Sequence, residues 1–294
     1  MAQVKDRKPI TKLRDAPWLK VRLDLGKRFH QTAQALGHGD ALNTVCVEAA
    51  CPNRHECWSA GTATFMILGD TCTRACKFCN VKTGKPASPD PHEPKQLAEA
   101  ARTMGIRYCV ITSVDRDDLP DKGAEHFGLC MDALREAVPG IRIELLTPDF
   151  KHQEEQAIER LKLRAPFIWG HNIETVPRLY QTARRGSSYE GSLRLLRLAG
   201  EIHESIKTKS SLMVGLGETQ NEVVDVMRDL HAQGVRRMNI GQYLRPTRQH
   251  LEVVEYHPPE YFDELKAAAL EIGFKVVRSG PLVRSSYHAH EDGE

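Results

Sequence analysis

Short apolar runs alternate with amphipathic stretches through most of this 294-residue chain. "FMILG" (65–69) reads as a buried strand, and the proline-rich "KPASPDPHEP" leads into a helix with Leu97, Ala101 and Met104 on one face. "YCVIT" (108–112) precedes a helix bearing Phe127, Cys130, Met131 and Leu134. "IRIELL" (141–146) precedes "EEQAIERLK", and "FIWGHN" (167–172) precedes a helix with Leu195, Leu198, Ala199 and Ile202. "SLMVG" (211–215) precedes a helix with Val223, Val226, Met227 and Leu230, and "RMNIGQYL" (237–244) supplies a sixth strand. A helix through Tyr261, Leu265, Ala268, Ala269 and Ile272 and a short strand, "KVVRSG", complete the tail.

Strands that are apolar throughout and alternate with helices predict an α/β fold with parallel pairing and helices on the outside. With right-handed crossovers, six such units build either an open doubly wound sheet or a curved, partly closed barrel. Periodicity does not choose between them. The beat occupies 61–249, so 1–60 and 250–294 read as extensions wrapped on a single core.

Composition narrows the function without naming it. A hydrophobic fraction of 40% and a charged fraction of 27% suit a soluble globular enzyme. A net charge of +2 provides no electrostatic footprint for nucleic acid. No apolar run reaches membrane-spanning length, and the basic N-terminus is interrupted by acids and lacks the apolar centre of a secretory signal. A cytoplasmic location is therefore expected, where thiols stay reduced. The 8 cysteines then read as ligands or buried thiols rather than disulfides.

Six of them fall into two sets of three. "CVEAACPNRHECW" (46–58) spaces Cys46, Cys51 and Cys57 as C-x4-C-x5-C. "GDTCTRACKFCN" (69–80) spaces Cys72, Cys76 and Cys79 as C-x3-C-x2-C, directly after the first strand. In an α/β fold, that loop lies on the face where ligands bind. A structural zinc site would want four closed ligands, usually as two C-x2-C knuckles. Three thiolates instead suit an iron–sulfur cluster with one open iron.

The C-x3-C-x2-C spacing, with Phe78 before its last cysteine, resembles the signature of radical S-adenosylmethionine enzymes. The resemblance implies a partial (β/α)6 TIM-type barrel and a four-iron cluster. Its open iron chelates the amino and carboxylate groups of S-adenosyl-L-methionine, and an electron from the cluster releases a 5′-deoxyadenosyl radical. The first set resembles the auxiliary-cluster motif of the lipoyl synthase family. That likeness continues through "GTATFMILGDTCTRACKFC", "ITSVDRDDLPDKGAEHF", "LTPDF", "HNIETVPRLY", "LMVGLGE", "IGQYLRPTRQHL" and "GPLVRSSYHA".

The family resemblance implies a sulfurtransferase with two four-iron clusters. Sulfur from the auxiliary one enters at carbons six and eight of an octanoyl chain. That chain hangs from a lysine of a lipoyl carrier domain or a glycine-cleavage carrier protein, and ferredoxin or flavodoxin supplies electrons. Ser286 of "RSSY" matches the family's fourth ligand to the auxiliary cluster. A hydroxyl is a harder donor than thiolate, so its bond to iron is the easiest to release. The alternatives are a methylthiotransferase, which would need an RNA-binding appendage, and a zinc or electron-transfer module.

Further positions are candidates for gripping S-adenosylmethionine. Ser113 and Asp115 follow the second strand; Asn172 and Glu174 end the fourth and suit the ribose hydroxyls or the substrate edge; Arg185 belongs to a basic patch with Arg178 and Arg184 that suits the methionine carboxylate, an acidic carrier domain or a plain helix surface. "GLGE" (215–218) reads either as an adenosine-facing loop or as a plain turn. His171 reads as a satisfied structural histidine, and Cys109 and Cys130 as buried thiols.

Overall fold

A computed structural model describes residues 9–21, 23–37 and 42–291. Helices α1 (Lys27–Ala35), α2 (Val45–Glu48) and α3 (Arg54–Ser59) precede the first strand, β1 (Thr64–Ile67). The loop after β1 contains the two-residue strands β2 (Thr71–Cys72) and β3 (Lys82–Thr83), which pair with each other. Strand and helix then alternate: α4 (Glu93–Met104), β4 (Tyr108–Ser113), α5 (Ala124–Ala137), β5 (Arg142–Leu146), α6 (Glu154–Lys162) and β6 (Phe167–Gly170). The second half continues with α7 (Pro177–Ala183), α8 (Tyr189–Glu201), β7 (Ile206–Val214), α9 (Gln220–Ala232), β8 (Arg237–Gln242), α10 (Pro259–Ile272) and β9 (Val276–Gly280).

The main sheet is parallel throughout and follows chain order, β1-β4-β5-β6-β7-β8-β9. This is the partial-barrel arrangement, carried one strand beyond the six expected. The tail strand pairs in parallel with β8, Met238 opposite Val277. Helix α10 and β9 thus continue the β/α beat, and the C-terminal extension proper begins only after Gly280.

The helices form where the apolar period put them. Phe127, Cys130, Met131 and Leu134 of α5 are wholly buried, as are Val223, Met227 and Leu230 of α9. Thr219 and Glu222 cap α9 reciprocally, satisfying amides that the first turn leaves open. Inside the barrel, Lys209 Nζ lies 3.1 Å from both carboxylate oxygens of Glu144, and the Tyr108 hydroxyl donates to the same carboxylate at 2.6 Å. Buried charges persist when paired and hydrogen-bonded in this way.

Strands β1 and β9 are the edges of the open sheet, and exposed edges need covering. Here the two chain extensions meet across the seam. Asn53 Nδ2 donates to the Leu282 carbonyl at 2.7 Å, and the hydroxyls of Thr64 and Ser286 lie 2.7 Å apart. Glu56 accepts from the Tyr287 hydroxyl at 2.8 Å and contacts His288 Nε2 at 3.0 Å. From within the barrel, Asn239 Nδ2 donates to the carbonyls of Arg284 and Ser285 at 2.9 and 2.8 Å.

Gly241 makes this seam possible, because a Cβ there would run into the Val283 carbonyl. Gly241→Ala should push residues 283–286 off β8, with an overpacking cost of ~1–3 kcal/mol. Thermal unfolding should show the loss, and limited proteolysis should cut the tail sooner than in the parent chain. An unaltered cleavage rate would count against this packing.

Candidate active site

A cavity of about 510 Å³ runs within the barrel, and all six motif cysteines and Ser286 line it. Chain geometry explains how each set arrives there. At the end of β1, Leu68 and Gly69 both take positive φ, 70° and 94°, turning the chain back across the strand ends. The turn is fixed by Glu93, which accepts the Leu68 amide at 2.8 Å and contacts His126 Nε2 at 2.6 Å. Cys72 Sγ then accepts the amides of Arg74 and Asp115 at 3.4 and 3.3 Å. The Cys79 carbonyl lies 3.0 Å from His250 Nε2, and the Lys77 amide donates to Ala183 at 2.9 Å.

Arg74, between the first two cysteines of this loop, is its clamp. It forms a two-pronged pair with Asp117 (2.8 and 2.8 Å) and another with Asp149 (2.6 and 2.7 Å), and it donates to Ser187 Oγ at 2.9 Å. The Arg74 hydrogen bonds and charge outweigh the burial that would raise the Asp149 carboxyl, and hold it below the usual range. One guanidinium therefore ties the cysteine loop to the chain beyond β4, β5 and α7.

The first set places Cys46 on α2, Cys57 on α3 and Cys51 in the turn between them. Thr44 bridges to Phe65, the Met66 amide donates to Asn43, and Ala50 takes a left-handed φ of 48° just before Cys51. The Cys51 amide reaches the Cys46 carbonyl at 3.3 Å, and the Thr62 hydroxyl donates to the Cys57 carbonyl at 3.0 Å. The backbone of Thr64 touches the Cys46 thiol, and the Thr64 hydroxyl contacts Ser286. Ser285 faces elsewhere, accepting from Asn172 Nδ2 at 2.7 Å. The two adjacent serines are thus distinguished, and Ser286 is the one beside the first set.

Burial pushes all six thiols up, Cys57 and Cys76 to about 12 and Cys79 to about 11. Arg284 partly opposes this at Cys51, and Arg184 at Cys76. Metal-free, the thiols hold their protons. The cationic iron–sulfur core of a cluster bound here would reverse that preference.

Among the described residues, no three His, Cys, Asp or Glu side chains gather closely enough for a single metal ion. Three soft thiols around a roomy cavity fit a cluster, whose irons each take one thiolate, better than a closed tetrahedral zinc site. The cavity wall also carries buried polar atoms with no hydrogen-bond partner, Ser113 Oγ, Ser211 Oγ and Asn239 Oδ1. Unsatisfied groups of this kind suit a polar ligand.

Phe78, Ser113, Asp115, Asn172 and Glu174 all line the cavity. Burial raises the Asp115 carboxyl against the pull of Arg74, and raises Glu174 against the pull of Arg184. Glu174 has a left-handed φ of 70° and accepts from Asn172 Nδ2 at 3.0 Å.

Arg185 does not join them. It is exposed, and Arg184 takes the inward place instead. Helix α7 ends at Ala183, and the Arg184 amide still bonds to the Tyr180 carbonyl at 2.7 Å, which turns this side chain into the barrel. Its guanidinium donates to the Asn172 carbonyl (2.9 Å), the Tyr180 hydroxyl (2.8 Å) and Ser192 Oγ (3.1 Å). Arg178 pairs with Glu222 on the outer surface.

His171 is structural, with Nδ1 2.9 Å from the Thr147 carbonyl and Nε2 3.0 Å from Ser192 Oγ. Burial, reinforced by the Arg184 charge, lowers its pKa to about 3. "GLGE" closes on itself, Glu218 accepting the Gly215 and Leu216 amides, and none of its residues lines the cavity. Cys109 and Cys130 are fully buried. Arg74 and Asp149 had no signal in motif spacing, since each acts through a partner distant in sequence, and Arg184 stood out only as one member of the basic patch.

Known proteins resemble this chain in sequence and in fold. Residues 66–230 match the family model of the radical SAM superfamily. The chain is 52% identical over 277 residues to a lipoyl synthase of Haemophilus influenzae, covering 94% of this chain and 87% of that protein. It is 51% identical over 288 residues to a lipoyl synthase of Mannheimia succiniciproducens, covering 98% and 90%. Among solved structures, the FeFe-hydrogenase maturase HydG of Carboxydothermus hydrogenoformans superposes with a TM-score of 0.56 at 17% identity, over 83% of this chain and 63% of that one. A methylornithine synthase superposes at 0.50 and 14%, over 72% and 69%. These two likenesses bear on fold alone.

Arg74→Met should strand two carboxylates that the guanidinium now pairs. Breaking such a buried pair costs about 3–5 kcal/mol. The urea midpoint of the metal-free chain should fall, and iron retained by the second cysteine set should drop. A midpoint equal to that of the parent chain would refute the clamp.

Proposed function

The chain belongs to the lipoyl synthase family of the radical SAM superfamily, and on that premise we propose a division of labour among its residues. It is a radical SAM sulfur-inserting enzyme that uses S-adenosyl-L-methionine and an iron–sulfur cluster. The finer reading is that it holds two four-iron clusters, Cys72, Cys76 and Cys79 binding one and Cys46, Cys51, Cys57 and Ser286 the other. When bound, the first supplies, with S-adenosylmethionine, the radical that opens unreactive C–H bonds, and the second supplies sulfur for carbons six and eight of an octanoyl chain.

One observation carries this reading: both cysteine sets and Ser286 line a single cavity. A carbon radical must be quenched by sulfur before it meets anything else, so the two centres have to share one enclosed space. The protein's own tasks follow. Arg74 fixes the loop of the radical-generating set. Ser113, Asp115, Asn172 and Glu174 supply polar contacts for S-adenosylmethionine, and Arg184 supplies a positive charge that faces Cys76. Met66, Val110, Leu146 and Leu212 provide apolar wall for a fatty chain and keep water away.

The octanoyl chain enters attached to a lysine of a lipoyl carrier domain or glycine-cleavage carrier protein, with ferredoxin or flavodoxin as reductant. Residues 42–60 and 281–291 together form the sulfur-donor side of the barrel. No described helix is long and apolar enough to cross a membrane.

Ser286→Ala should still cleave S-adenosylmethionine yet lose dithiolane product from an octanoylated peptide, as read by mass spectrometry. Unchanged lipoyl yield would remove Ser286 from the mechanism. Cys76→Ala should instead abolish 5′-deoxyadenosine formation, and cleavage at the parent rate would contradict the role given to that set.

A further inference from the structure

The arginines drawn into the interior each have a visible partner, with one exception. Arg74 pairs with Asp117 and Asp149, and Arg116 with Asp118. Arg184 spends its donors on a carbonyl and two hydroxyls. Arg284 is different. It is part-buried on the cavity wall, the one described hydrogen bond of its guanidinium runs to the adjacent Val283 carbonyl at 2.7 Å, and it joins no ion pair among the described residues. Cys46, Cys51, Cys57 and Ser286 line the same cavity as Arg284.

A guanidinium stays charged, and taking it out of water without an anion is costly. Its position is nevertheless built. Asn239 holds the carbonyls of Arg284 and Ser285, and the missing side chain of Gly241 leaves room for the guanidinium, which would lie 3.3 Å from a Cβ there. The counter-charge must therefore come from what fills the cavity that Arg284 lines together with Cys46, Cys51, Cys57 and Ser286.

Resting on the two-cluster reading above, we propose that Arg284 is the electrostatic partner of the cluster held by Cys46, Cys51, Cys57 and Ser286. A cluster ligated by three thiolates and an alkoxide is anionic, and one-electron reduction makes it more so. The fixed positive charge offsets both. Arg284 is thus a positioning and tuning residue: it stabilises loading and raises the potential at which the cluster accepts an electron. The same cation draws the tail that carries Ser286 toward the cluster.

The test uses the full chain carrying Cys72→Ala, Cys76→Ala and Cys79→Ala, reconstituted anaerobically so that only the first set can hold a cluster. Iron, sulfide and the visible spectrum report loading, and titration with dithionite followed by EPR reports the potential. Adding Arg284→Met should move the potential to more negative values, and Arg284→Lys should restore most of the shift. An unchanged potential in Arg284→Met overturns the proposal, as does an equal shift in Arg284→Lys, which would trace the effect to shape. If Arg284→Met fails to load, loading rescued by Arg284→Lys supports the role of charge, and loading absent from both overturns it. Absence of a cluster in the Arg284 background itself would instead overturn the two-cluster reading, and this proposal with it.

Discussion

The open edge of the barrel is the constraint from which the rest follows. A seven-stranded parallel sheet that does not close leaves β1 with unpaired backbone groups facing a hollow. The chain covers that edge with material from both ends. Helices α2 and α3 approach from one side through Thr44 and Asn53, and the segment after Gly280 approaches from the other through Leu282, Ser286 and Tyr287. Covering the edge is what puts Cys46, Cys51, Cys57 and Ser286 on the same cavity as the loop after β1. In this molecule, closing the barrel and bringing the first cysteine set and Ser286 onto the cavity are one act of folding.

Charge inside the cavity follows from the same burial. Thiols removed from water hold their protons, so burial opposes the anionic state that iron demands. Binding of a cluster and release of protons are therefore linked, and the fixed cations around the cavity lower the cost. Arg184 opposes the upward shift at Cys76 of the second set, and Arg284 that at Cys51 of the first. Arg74 plays a mechanical part, its charge already matched by Asp117 and Asp149.

The β/α beat was plain in the sequence because short apolar runs mark most of the strands and the helices between them carry apolar stripes at 3.6-residue spacing. The cysteine spacing was equally plain, since a cluster loop is a local device. What depended on distant contacts was less visible. The tail strand read as part of an appendage, yet the alignment of Met238 with Val277 makes it the seventh strand of the sheet. Arg185 and Arg184 are indistinguishable by composition, and only the end of α7 decides which one turns inward. Ser285 and Ser286 are likewise alike on paper, and are separated by Asn172 on one side and Thr64 on the other.

The most direct test of the account is anomalous diffraction at the iron edge from an anaerobically grown crystal of the reconstituted chain. Two iron cubes should appear, both open to the same hollow, with the Ser286 hydroxyl bound to the one beside Cys46. A single cube, or two cubes on separate sides of the barrel wall with no shared space, would contradict it.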